Sequence, residues 1–129
     1  MKKIIKHVEE FHDAFGIVNY YAPTTIISED EIMLRYNLMK EENEEYLEAA
    51  KNKDIVEIAD ALGDQLYILL GTILSHNLED KIIEIFNEIH KSNMSKLDEN
   101  GNPLYREDGK VKKSNLFKEP NLKEILEKQ

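Results

Sequence analysis

The sequence predicts an all-α fold: a four-to-five-helix bundle with an antiparallel central helix pair and a small C-terminal hairpin. Three observations lead there. Apolar residues recur at three- and four-residue steps in separate stretches. Helix-capping residues, Ser28 and Asp54, stand where two of the stretches begin. The link between those two helices, Asn52-Lys53, is so short that they must lie side by side in opposite directions.

The first helix runs over about 3–15, with Ile4, Val8, Phe11 and Phe15 as its stripe and Gly16 as its stop. Residues 17–27 contain Pro23 and read as an extended connector. Ser28 caps the second helix, and Glu31 three residues later completes a capping box. This helix continues to about Lys51, with Ile32, Tyr36, Met39, Tyr46 and Ala50 along one face. Asp54 caps the third helix, Ile55–Ser75. Beyond Ala61 that helix is apolar nearly all round, which suits the centre of a bundle or a face buried by a second subunit. Asn77 ends it, and a fourth helix follows over about 79–97 with Ile82, Ile85, Phe86 and Ile89 as its stripe. Asp108-Gly109 between two short extended pieces signals a hairpin, and residues 121–127 offer a last helical turn or two. One domain is expected over 1–129, with its helical core at about 28–97 and the hairpin and tail at about 98–129.

Composition narrows the function. The chain has no cysteine, which excludes a disulfide scaffold and thiolate metal sites. Its net charge of −9 argues against a nucleic-acid partner, which would need a basic face. It leaves a nucleotide ligand open, because carboxylates can hold phosphate oxygens through a divalent cation. The longest apolar run, 66–74, is too short to span a bilayer, and the first residues lack the pattern of a signal peptide. A cytoplasmic protein without membrane contact is the expectation.

The chemistry lies in the acids. Glu42 and Glu45 are three apart and share a helix face with Leu38 and Ala49, so that face borders the apolar side. On the third helix Glu57 and Asp60 repeat the spacing, and Asp64 follows one turn later on a face that continues through Ile68 and Gly71. Two acids on each of two antiparallel neighbours can converge on one point. Convergent, partly buried carboxylates cannot all stay ionised without a counter-charge, and Mg2+, with its preference for oxygen ligands, supplies one. For residues 41–48 alone, a solvated acidic face explains the pattern equally well. For Asp60 and Asp64, in an otherwise apolar helix, it explains less.

Extending the stripe of the fourth helix reaches Asn93 and Lys96 where apolar residues are expected. A lysine there can reach inward to phosphate oxygens, and Asn93 can offer an amide; a stripe that simply runs past the core edge is the alternative. Arg106, Lys110, Lys112 and Lys113 form a local basic patch, which suits a polyphosphate or is an ordinary charged hairpin. Glu9 and His12 have Glu-x-x-His spacing, but di-iron chemistry needs a second copy that the chain lacks. His7, His76 and His90 read as surface or helix-end residues. Phe15, Tyr20 and Tyr21 suit either a stacking wall for a base or the core.

Glu41-Glu42-x-x-Glu45 followed by Glu57-x-x-Asp60 resembles the signature of the all-α nucleoside triphosphate pyrophosphohydrolases, the superfamily of MazG, the phosphoribosyl-ATP pyrophosphohydrolases and the dimeric dUTPases. Asn93-x-x-Lys96 looks like the phosphate-side element of that group. The Tyr-Arg-x-Asp-Gly-Lys pattern at 105–110 looks like its compact MazG-like branch. The resemblance covers roughly 28–113. It implies that Glu42, Glu45, Glu57 and Asp60 bind Mg2+, with Mn2+ as a substitute, and that Glu41 helps hold a second ion or orients the water; Asp64 is an additional candidate from its place on the helix face. It implies further that Asn93 and Lys96 contact the substrate, and that the protein is a homodimer or larger oligomer. Arg106 and Lys110 join them as substrate-side candidates.

The function expected is hydrolysis of a nucleoside triphosphate to the monophosphate and pyrophosphate, with Glu41 or Glu45 as general base. The alternatives are a phosphoribosyl-ATP-type pyrophosphohydrolase and a non-catalytic, metal-dependent nucleotide-binding or interaction protein.

Overall fold

The computed structural model describes residues 1–17 and 22–128. Tyr20 and Tyr21, candidates for a stacking wall, lie outside them. The elements in order are α1 (Lys2–Ala14), α2 (Glu29–Lys51), α3 (Ile55–Ser75), α4 (Ile82–Met94), β1 (Leu104–Tyr105), β2 (Val111–Lys112) and α5 (Leu122–Glu127). The expected all-α architecture is therefore present: five helices, a central α2–α3 pair and one small hairpin. The chain divides into two compact units, Met1–Asp80 and Lys81–Gln129.

In the first unit α2 and α3 pack on each other along their length, and α1 packs on α3. Both helix starts are set by the capping residues seen in the sequence. Ser28 accepts from Glu31 N–H at 3.1 Å. Asp54 Oδ1 accepts from Val56 and Glu57 N–H at 3.1 and 3.2 Å. Each cap satisfies donors that the first turn of a helix leaves unpaired and contributes about 1 kcal/mol. Between α2 and α3, Lys53 takes φ 55°, the left-handed conformation that closes this short reversal. The end of α3 is tied to the connector before α2: Thr24 N–H donates to His76 O at 3.0 Å, and His76 Nδ1 lies 2.8 Å from Thr24 O.

The buried faces differ from the sequence stripes in two helices. α1 buries Ile5, Val8 and His12, while Ile4, Phe11 and Phe15 are exposed, Phe15 at 70%. The exposed aromatics of α1 pack on each other and on α3. Phe11 stacks on Phe15 with centroids 4.4 Å apart and meets Tyr67 of α3 edge-on at 5.7 Å, a cluster on the outside of the α1–α3 contact. In α2 the expected face is split: Ile32, Tyr36 and Tyr46 are exposed, Met39 and Ala50 are half-buried, and only Ala49 is fully buried. The face turned to α3 is instead the one with Arg35, Leu38 and Glu42, all half-buried. α3 is 21 residues long, and alone among the described helices it is long and apolar enough to cross a membrane by length and composition. The run 66–74 understated this, because the helix extends well beyond it. Lengthwise packing on α2 is also what the core helix of a bundle does.

In the second unit α4 is shorter than its apolar stripe suggested. Residues 79–81 form a turn, and the helix stops at Met94. Asn93 thus sits in the last helical turn and Lys96 just past it, not on a continuing core-facing stripe. β1 and β2 pair antiparallel, Leu104 opposite Lys112 and Tyr105 opposite Val111. Gly109, with φ 82°, supplies the left-handed residue this hairpin requires. α5 packs on α4 and buries Ile125.

Candidate metal centre

The antiparallel register of α2 and α3 gathers three carboxylates. One ligand oxygen each from Glu42, Glu45 and Asp64 lies within 4.8 Å of the others. Alongside, Gln65 Nε2 donates to Asn43 Oδ1 at 3.3 Å, linking the two helices at the same level. Glu42 is half-buried, and its Oε2 has neither accessible surface nor a hydrogen-bond partner among the described residues.

Electrostatics make this arrangement uncomfortable without a cation. Burial pushes the Glu42 carboxyl up to about 7, helped by its hydrogen bond with Glu45 and by the negative charges of Glu45, Asp64 and Glu41. A hard divalent ion would relieve this repulsion, because it takes oxygen ligands from several carboxylates at once. The donor set is all oxygen, the geometry is convergent and one acceptor is orphaned. The residues present therefore fit Mg2+ or Mn2+.

Glu57 and Asp60 are exposed and face a different space. With Glu45, Glu48, Ala49 and Asn52 they line a cavity of about 220 Å³ towards the α2–α3 turn. Glu45 belongs to both groups. The structure thus brings Glu42, Glu45 and Asp64 into one cluster and places Glu57 and Asp60 next to it, across a shared glutamate. Glu41 is exposed beside the cluster.

The substrate-side candidates lie in the second unit. Asn93 is exposed and Lys96 half-buried at the end of α4. Arg106 is committed elsewhere: its Nε donates to Asp108 Oδ1 at 3.2 Å and its Nη2 to Asp108 Oδ2, inside the hairpin. Asp108 also accepts from Lys110 N–H at 3.0 Å. These bonds hold the Asp108 carboxyl below its usual range.

One residue in the α2–α3 contact was not anticipated. Arg35 stands two turns before Glu42 on the same face, half-buried, with Nη2 3.5 Å from Ile68 O and Nε without a hydrogen-bond partner among the described residues. Desolvation lowers its pKa, with Glu31 opposing. Its guanidinium lies over Gly71, where an added Cβ would come within 3.1 Å of both Arg35 Nη2 and His12 Nε2. The signal was available: an arginine one heptad before Glu42 must point at α3. His12, 2% exposed, is a core residue of α1.

The model of the phosphoribosyl-ATP pyrophosphohydrolase family matches residues 8–93, more than half of the chain. The match covers the second half of α1 from Val8, both acidic helices and α4 as far as Asn93, and ends before Lys96 and the hairpin. No curated protein matches the chain significantly. An acidic cluster fit for a metal, held by two capped antiparallel helices within the matched span, agrees with a metal-dependent hydrolase. The chain belongs to the phosphoribosyl-ATP pyrophosphohydrolase family, whose members hydrolyse phosphoanhydride bonds of nucleotides.

Proposed function

We propose that the protein is a Mg2+-dependent nucleoside triphosphate pyrophosphohydrolase that releases pyrophosphate and a nucleoside monophosphate. The observation that carries this reading is the orphaned, half-buried Glu42 oxygen in a cluster with Glu45 and Asp64. When bound there, Mg2+ supplies charge neutralisation for the phosphate oxygens and makes a water more acidic.

The chain's own residues do the rest. Glu42, Glu45 and Asp64 hold the ion, and Glu57 and Asp60 extend the oxygen-lined surface through Glu45. Glu41, exposed and outside the three-carboxylate cluster, is free to take the proton of the attacking water. Asn93 and Lys96 contact the phosphates or sugar, and Lys110 adds positive charge in the hairpin. Arg106 contributes to the substrate only by exchanging its Asp108 partner for a phosphate.

The two compact units act as one domain in this reading; the family match runs across their boundary at Asp80. The exposed face of α3 supports a homodimer or larger oligomer. Ile55, Leu62, Leu66 and Leu69 are exposed and spaced as a heptad seam, away from the face of Asp60 and Asp64. The cysteine-free composition suits the cytoplasm without depending on it.

The test is pyrophosphate release from a panel of NTPs and dNTPs with Mg2+ or Mn2+, for wild type and Glu45→Gln. Turnover by the wild type that collapses in the variant supports the reading. Equal rates in both, or no release from any nucleotide, would sink it. Phosphoribosyl-ATP belongs in the panel, because the matched family is named for it. Turnover of that substrate alone would transfer the assignment to it.

A further inference from the structure

Asn93 lies in the last turn of α4 and Lys96 just past its end. The last turn of a helix frays, and the carbonyls that follow it have no helical partner and stay bare unless another segment reaches them. An element that is to bind phosphate needs the opposite: fixed side chains and no bare carbonyls facing the anion.

The tail after the hairpin answers both needs at α4. Ser114 reaches three consecutive carbonyls. Its N–H donates to Lys96 O at 3.2 Å, and its Oγ donates to Leu97 O at 2.7 Å, with Ser95 O within reach at 3.2 Å. Ser114 Oγ in turn accepts from Leu116 N–H at 3.1 Å. A second clamp closes on Lys118. Ser92 Oγ donates to Lys118 O at 2.8 Å, and Lys118 N–H donates to Ser95 Oγ at 2.9 Å. Ser95 Oγ donates to Ser92 O at 2.6 Å. Ser92 is buried, whereas Asn93 beside it is exposed. The serines thus take the inner side of the turn, and the two substrate-side candidates are left with their functional groups uncommitted. Lys96 makes no ion pair among the described residues.

We propose that Ser114, with Ser92 and Ser95, is a positioning residue for phosphate binding: it occupies the carbonyls around Lys96 and fixes Asn93 and Lys96 at one spacing. This rests on the reading of Asn93 and Lys96 as phosphate contacts. Plain packing would not require a single hydroxyl and its own amide to engage the residue before Lys96, Lys96 itself and the residue after it.

The experiment measures binding of inorganic tripolyphosphate with Mg2+ by calorimetry, using the full chain. It adds amide hydrogen exchange over 93–97 and Mg2+ binding without phosphate. Ser114→Ala is expected to weaken tripolyphosphate binding about tenfold, the loss of one well-made hydrogen bond's worth of order. Exchange at 93–97 speeds up, Mg2+ binding stays unchanged, and Ser114→Thr restores the affinity. Adding Ser114→Ala to the double variant Asn93→Ala with Lys96→Ala weakens binding no further, because the serine acts through those two residues. Wild-type affinity in Ser114→Ala while Lys96→Ala is weakened would overturn the inference, as would a further loss in the triple variant. Wild-type affinity in both Asn93→Ala and Lys96→Ala would overturn it together with the reading beneath it. If Ser114→Ala does not fold, Ser95→Ala, which removes only the acceptor for Lys118 N–H and the bond to Ser92 O, is held to the same outcomes.

Discussion

Gln65 on α3 donates a hydrogen bond to Asn43 on α2 at 3.3 Å, one residue along each chain from Asp64 and Glu42. Antiparallel helices bring paired neighbours to the same level, so this contact marks the register that places Asp64 in the carboxylate cluster. A shift of one turn would offer Asp60 to Glu42 in its place.

The register leads to a ranking of the acids. Glu42→Gln and Asp64→Asn are expected to cut pyrophosphate release by about 100-fold or more, in line with losses seen when the surroundings of a bound metal are disturbed. Glu57→Gln should cost less, because Glu57 is exposed and outside the cluster. Calorimetric Mg2+ titration of the three variants checks this. A larger loss of metal affinity in Glu57→Gln than in Asp64→Asn would reverse the assignment.

Glu42 also sets a pH dependence. Its carboxyl is raised from 4.5 to about 7 in the folded chain, mainly by burial. The folded state therefore binds more protons than the unfolded state between those values. Stability of the metal-free protein should fall as pH rises from about 4.5 to about 7 and then level off. Mg2+ binds the deprotonated cluster, so its stabilising effect should grow over the same window. Thermal unfolding at pH 5.5 and 8, with and without Mg2+, reads both trends. Glu42→Gln should flatten them.

Two glycines of α3 separate space from conformation. A Cβ at Gly71 would crowd Arg35 and His12 at 3.1 Å, whereas a Cβ at Gly63 meets nothing within 4 Å. Gly63→Ala should stabilise by up to about 1 kcal/mol, the helix propensity difference. In Gly71→Ala the same gain is set against an overpacking cost of about 1–3 kcal/mol, for a net loss of about 1 kcal/mol. Urea unfolding of both variants tests the contrast, and equal stabilisation would show that Arg35 yields freely.

The exposed seam of α3 makes a prediction about assembly. Leu66, 41% exposed, lies in the middle of the seam formed with Ile55, Leu62 and Leu69. Leu66→Lys should lower the oligomeric state measured by light scattering while leaving the circular dichroism helical. An unchanged mass would direct attention to the aromatic cluster of Phe11, Phe15 and Tyr67 as the assembly face.

The sequence by itself determined the helices, their caps and their reversal. Ser28, Asp54 and the Asn52-Lys53 link act locally, and local chemistry is legible one residue at a time. It also set Glu42 beside Glu45 and Asp60 beside Asp64 on their own helices, because helical spacing fixes which residues share a side. The tertiary structure decided which face each helix buries. Val8 is inside as its stripe predicts, but Ile5 and His12 join it in place of Ile4, Phe11 and Phe15, because the contact with α3 and not α1's own stripe sets the rotation of the helix. It decided too which acids meet. Glu42, Glu45 and Asp64 converge through an interhelical register that no spacing within one helix can specify. The capture by Ser114 of the carbonyls that follow α4 belongs to the same class, bonds between residues 17 and 19 positions apart that only the folded chain brings together.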